Sequence, residues 1–161
     1  MKAENLEDDN ILSKLPISEL ETLYIVGHSL KIVETRRIAK LMERLGARFE
    51  TQRFTPTELN VIESNAKRIQ YLTGRFATKE AILTVLGQGW SQGISWLDIE
   101  VQRMPTGEPS VVLYGNCQKI ATKLGIRKWL ISISHVSSCA AACAIALGTG
   151  SEPVTPKTSV S

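Results

Sequence analysis

LYIVGHSLKIVE (23–34) is rich in β-branched and apolar residues with period-two features, which predicts a strand bent at Gly27-His28-Ser29. The period then changes. In TRRIAKLMERLG (35–46), Ile38, Leu41, Met42 and Leu45 fall on one helical face and Gly46 supplies a stop. Arg37, Lys40, Arg44 and Arg48 recur every three or four positions and form a basic stripe on another face. Glu34, Glu43 and Glu50 are close enough in sequence to pair with some of these cations.

Phe54-Thr55-Pro56-Thr57-Glu58 predicts a helix start: Thr55 suits the N-cap, Pro56 the first helical position, and Glu58 can reach back to complete a capping box. The helix is expected to run through LNVIESNAKRIQ, to break near Gly74 and to resume as RFATKEAILTVLG. WLDIEVQRM and SVVLYG flank Pro105-Thr106-Gly107-Glu108-Pro109 and read as an antiparallel hairpin. NCQKIATKLG (116–125) reads as a short helix, and WLISISHV and CAAACAIAL as closing strands joined at Ser137-Ser138. No internal repeat appears, and this order of elements predicts an α+β domain.

A chain of 161 residues has room for one domain with a real core. That domain is placed at 23–148, between an acidic N-terminal extension (1–22) and a Ser/Thr/Pro-rich tail (149–161), both expected to be mobile. No apolar stretch approaches the roughly 18 residues of a membrane span. The start MKAENLEDDN is acidic where a signal peptide is basic and then apolar, so a cytoplasmic protein without membrane contact is expected. Cys117, Cys139 and Cys143 lie in apolar surroundings and are expected as buried small residues, because His135 is the only histidine near the Cys139–Cys143 spacing. A net charge of +3 does not argue for nucleic acid, and the basic segment 36–53 has no interleaved aromatic platform.

The chemistry concentrates in GRFATKEAILTVLGQG (74–89), where Lys79 and Glu80 stand side by side one turn after Arg75 and ahead of Gly87-Gln88-Gly89. Spacing alone allows solvent-facing charges on an amphipathic helix. It equally suits an anionic phosphate ligand held partly through a hard metal ion.

This stretch resembles the G-R-F-A-x-K-E-A-x-x-K-A-x-G-T-G signature of holo-acyl-carrier-protein synthases, the small trimeric class of 4′-phosphopantetheinyl transferases. IVETRRI (32–38), RFTPTEL (53–59), WLDIEV (96–101) and ISISH (131–135) are similar to further family segments in the same order, so the likeness covers roughly residues 24–147. The resemblance implies the family's fold, a mainly antiparallel sheet packed against helices, and a transferase. Such an enzyme moves the 4′-phosphopantetheine arm of coenzyme A onto a serine of apo acyl carrier protein in fatty acid biosynthesis. It further implies a homotrimer with active sites between subunits and Mg²⁺ at the coenzyme A pyrophosphate. Residue by residue, it implies that Glu80 is a metal ligand, that Lys79 is a charged group at the reacting phosphates, and that Arg75, Gly87, Gly89 and His135 contact coenzyme A. Arg37, Arg44 and Arg48 match the basic helix that receives the acidic recognition helix of the carrier protein.

The chain also departs from the family pattern. Lys31 stands where the first strand carries the second metal-ligating carboxylate, and Lys31 is not a ligand. Thr84 replaces the second Lys of the signature, Gln88 the Thr of G-T-G, and Val136 the Thr of the closing H-T. Two readings follow: a transferase in which Lys31 offers its ammonium to the pyrophosphate or the ion is held by Glu80, substrate oxygens and water, or a non-catalytic paralogue that binds carrier protein or coenzyme A with Lys31 paired to Glu80.

Overall fold

In the computed structural model, which describes residues 22–60, 65–87 and 93–150, three long strands make one antiparallel sheet. They are β1 (Leu23–Glu34), β4 (Lys128–His135) and β5 (Cys139–Thr149), in the order β1-β5-β4. β5 is central, and every second residue, Ala140, Ala142, Ala144 and Ala146, is buried. Small side chains on that face let a helix lie close. The bend expected in β1 is a register shift against β5 between Ile25 and Gly27.

The helix on the alanine face is α4 (Asn65–Val85), and it runs unbroken through Gly74. A Cβ at Gly74 would sit 3.0 Å from Ile133 Cγ2, so the glycine marks a close approach of helix and β4, not a break. Leu72 to Lys79 and then Ala81 and Ile82 are all buried, because the sheet covers one side of α4 and other elements cover the rest. On one flank, α1 (Thr35–Leu45) and α2 (Ala47–Arg53) contribute Ile38 and Phe49 to a cluster with Phe54, Phe76, Trp96 and Val33. On the other, a hairpin of β2 (Ile99–Arg103) and β3 (Pro109–Leu113) and helix α5 (Gly115–Lys123) bury Ile99, Val101 and Cys117 against Ala81 and Ile82.

Gly46 ends α1 as expected, with φ +56°. The chain then re-enters a helix at once, and α2 was not anticipated. Arg48 therefore leaves the predicted stripe and lies on α2. A short α3 (Pro56–Leu59) follows with the full capping box on Thr55 and Glu58, but it ends at Leu59. WLD of the expected strand forms a single 3₁₀ turn (Trp96–Asp98) ahead of β2.

The opposite face of the sheet is apolar and open: Ile25, Leu30, Ile32 and Leu130 are exposed, Ile32 by 68%. Cys139 and Cys143 lie half-buried there, whereas Cys117 is fully interior and burial pushes its thiol up to about 12. No described helix is long and apolar enough to cross a membrane. Residues 1–21 and 151–161, most of the two terminal segments expected to be mobile, lie outside the described residues.

α2 is tied to the start of α4 by a two-pronged pair, Arg68 Nη1 and Nη2 donating to the two oxygens of Glu50 at 2.8 Å each. These bonds hold the Glu50 carboxyl below its usual pKa. A carboxyl with a depressed folded-state pKa stabilises the fold above its unfolded pKa, and the contribution disappears as pH falls through the folded value. Glu50→Gln is accordingly expected to cost about 1 kcal/mol at pH 7. Thermal melts of the two proteins should converge in acid; a gap that persists there assigns the loss to packing.

Candidate active site

Lys79 is the residue whose position differs most from expectation. Its side chain is fully buried, and its ammonium lies 2.7 Å from Glu58 Oε2. The same nitrogen donates to the carbonyls of Arg53 at 2.8 Å and Trp96 at 3.0 Å. An ammonium has three donors, and these partners use all of them. Lys79 is thus corrected from a phosphate-side cation to an interior tie. The cause is its place on α4, which turns it toward the 3₁₀ turn and the α2–α3 junction. Burial draws its pKa down, against the opposing pull of Glu58.

Glu58 completes the expected capping box and also pairs with Lys79. Its Oε2 accepts the Thr55 N–H at 2.8 Å, and its Oε1 accepts the Val101 N–H at 2.9 Å. Five elements, α2, α3, α4, the 3₁₀ turn and β2, therefore meet on one carboxylate–ammonium pair.

Glu80 turns the other way, toward α1. Its side chain is about a quarter exposed and faces Arg37, whose Nη2 is 3.7 Å from Oε1. The Arg37 guanidinium also lies 5.5 Å from the centre of the Phe76 ring. Lys31 is placed nearby by register: it pairs with Ala142 and shares the helix-facing side of β1 with Ser29 and Val33. Val33, Ala142 and Ala77 pack in one cluster, and Ala77 is one turn before Glu80 on α4. Among the described residues the ion pair of Glu80 is with Arg37, and the Lys31–Glu80 pair of the non-catalytic reading is not formed.

A magnesium site of two carboxylates does not fit this surround. Among the described residues no three His, Cys, Asp or Glu side chains converge, and the β1 position beside Glu80 carries a cation. At about 4 Å and an effective dielectric near 20, a unit charge facing a divalent ion costs roughly 8 kcal/mol before rearrangement.

Arg75 and His135 meet elsewhere. Together with Tyr71, Arg103, Gly107 and Ile133 they line a cleft of about 240 Å³ between α4, the β2–β3 hairpin and the end of β4. Arg75 is 7% exposed and its guanidinium stacks over the Tyr71 ring at 4.2 Å, yet its Nε has no hydrogen-bond partner. A buried cation with an idle donor, beside a second arginine and a histidine, is arranged for an anion. Tyr71 and Arg103 were missed by sequence reasoning; Tyr71 stands one helical turn before Arg75, and that spacing could have found it.

Gly87, at φ +76°, ends α4, while Gly89 falls outside the described residues. Arg37 and Arg44 line an open groove beside β1 with Arg36 and Lys40, whereas Arg48 does not reach it. Arg75 and Glu80 are five residues apart, about 140° around α4. A single chain accordingly carries Glu80 with Arg37 on one side, with Lys31 on the helix-facing side of the adjoining β1, and Arg75 with His135 and Arg103 on the other.

Residues 31–144 match the model of the 4′-phosphopantetheinyl transferase superfamily. A holo-[acyl-carrier-protein] synthase of Koribacter versatilis is 38% identical over 121 residues, 75% of this chain and 97% of that one. One of Thermoanaerobacter is 41% identical over 117 residues, 73% of this chain and 83% of that one. Among solved structures, the holo-ACP-synthase of Plasmodium yoelii superposes with a TM-score of 0.69 at 32% identity, covering 81% of this chain and all of that one. The Helicobacter pylori synthase in complex with coenzyme A gives 0.65 at 26%, covering 74% and 99%. With its sheet, its long helix and its ordered motifs accounted for by this match, the chain belongs to the 4′-phosphopantetheinyl transferase superfamily, among the holo-[acyl-carrier-protein] synthases.

Proposed function

We propose that the protein transfers the 4′-phosphopantetheine arm of coenzyme A to a serine of apo acyl carrier protein. The serine oxygen bonds to the phosphorus of the arm, the bond from that phosphorus to the bridging oxygen breaks, and adenosine 3′,5′-bisphosphate leaves. Displacement at phosphorus asks for positioning and charge neutralisation more than covalent chemistry. The cleft holding Arg75, Arg103 and His135 carries this reading, because it offers cations and an idle buried donor to a nucleotide polyanion. Glu80 serves at the opposite cluster as the carboxylate available to the serine proton, with Arg37 and Lys31 supplying positive charge there.

Since these clusters lie on different sides of α4, the complete site is built from two copies, and by family resemblance the assembly is a homotrimer. The exposed row Ile25, Leu30 and Ile32 on β1 supplies an apolar face for that assembly. The acidic helix of the carrier protein is received by the basic groove of Arg36, Arg37, Lys40 and Arg44, and that encounter weakens with salt.

The test is incubation with coenzyme A and several apo carrier proteins, followed by mass spectrometry for the added arm. Absence of product where a control transferase completes the reaction refutes the proposal. Arg75→Ala is expected to weaken coenzyme A binding about tenfold to a hundredfold in calorimetry, the loss of about 1.5–3 kcal/mol in charged hydrogen bonds. Unchanged affinity removes the cleft from the site.

A further inference from the structure

We infer that the acidic stretch Glu4–Leu12 of this chain docks in its own basic groove and competes there with acidic partners. The groove, about 830 Å³, is lined by Arg36, Arg37, Lys40 and Arg44 together with the apolar Ile32 and Leu41, and Glu34 is the one acid on its rim. The stretch ENLEDDNIL supplies the complement: Glu4, Glu7, Asp8 and Asp9 with no cation among them, and Leu6, Ile11 and Leu12 around them. It lies outside residues 31–144 matched by the family and outside the described residues.

Chain length permits the contact. From Leu23 to Ile32 the strand covers about 30 Å at about 3.3 Å per residue. Residues 13–22, extended, span about 33–36 Å, which brings position 12 back to the groove. A tethered segment meets its site at a high effective concentration, so even a weak charge-driven contact is populated at low salt. Because carrier docking at this groove rests on the proposed function, the first measurement is independent of activity.

A zero-length carbodiimide reagent joins a carboxylate to an amine only where they touch. In the full-length protein at low salt, peptide mapping is expected to show Glu7, Asp8 or Asp9 joined to Lys40, with the product lost at high salt. Linkage to Lys119, Lys123 or Lys128 instead, or no linkage, overturns the inference. A linkage joining differently labelled chains in a mixed-isotope sample overturns the within-chain arrangement. The second measurement uses the full-length variant E4Q/E7Q/D8N/D9N. Where transfer activity is present, its KM for carrier protein should fall about fivefold with kcat unchanged, as expected when a groove four-fifths occupied is freed. An unchanged KM refutes competition even if the linkage forms.

Discussion

Lys79→Met is expected to lower the stability of the fold by about 3–5 kcal/mol, a fall in melting temperature of about 10 °C or more. The variant removes the cation from a fully buried pair and leaves Glu58 charged in the interior, where its two oxygens still hold the Thr55 and Val101 amides. The carbonyls of Arg53 and Trp96 lose their donor at the same time. Glu58→Gln attacks the pair from the other side. It keeps one acceptor for an amide but strands an ammonium, so a loss of the same order is expected. Calorimetric melts of the two single variants and the double variant decide the matter. Since each single change already breaks the pair, the double variant should cost less than the sum of the two. A Lys79→Met protein that melts like the parent and yet transfers no arm would return Lys79 to the phosphates and refute its burial.

The burial of Lys79 separates what a sequence of this kind carries locally from what it does not. Local signals were legible because their partners lie within a few residues. Thr55 and Glu58 form the capping box that their spacing implies, Gly46 stops α1, and β1, β4, β5 and the β2–β3 hairpin follow from alternation and turn residues. The capping carboxylate, however, has a second oxygen, and its partner Val101 is 43 residues away. Nothing near Glu58 announces that contact. In the same way Gly74 reads as a helix breaker until Ile133, far along the chain, shows how tightly a side chain there would be met. Family likeness named Arg75 and His135 separately as coenzyme A contacts, and both line the same cleft. It also assigned Lys79 to a surface from which burial removes it, and placed Arg48 with Arg37 and Arg44 although it lies on α2.

Lys31→Ala is expected to reduce transfer about a hundredfold with little loss of stability, the effect of deleting one preorganised charge at a phosphoryl group. Negative charge is in deficit around Glu80. The position of β1 where the resemblance implies a second metal-ligating carboxylate carries an ammonium, and Arg37 already faces Glu80. Two fixed cations can neutralise a diphosphate without an ion, provided that both point at it. Lys31→Asp separates this arrangement from a silenced site. It removes the fixed cation and restores the second carboxylate, so the variant should be inactive in a chelator and regain part of its rate with millimolar Mg²⁺, whereas the parent should be nearly indifferent to the chelator. Mass spectrometry of the carrier protein, with and without chelator, reads both predictions. A parent that is silent under every condition, combined with a Lys31→Asp variant that turns over with Mg²⁺, would show that the lysine extinguishes transfer. In that case the positive charge at this position serves binding alone, because an ammonium that cannot replace the ion in the transition state can still hold the ground-state diphosphate.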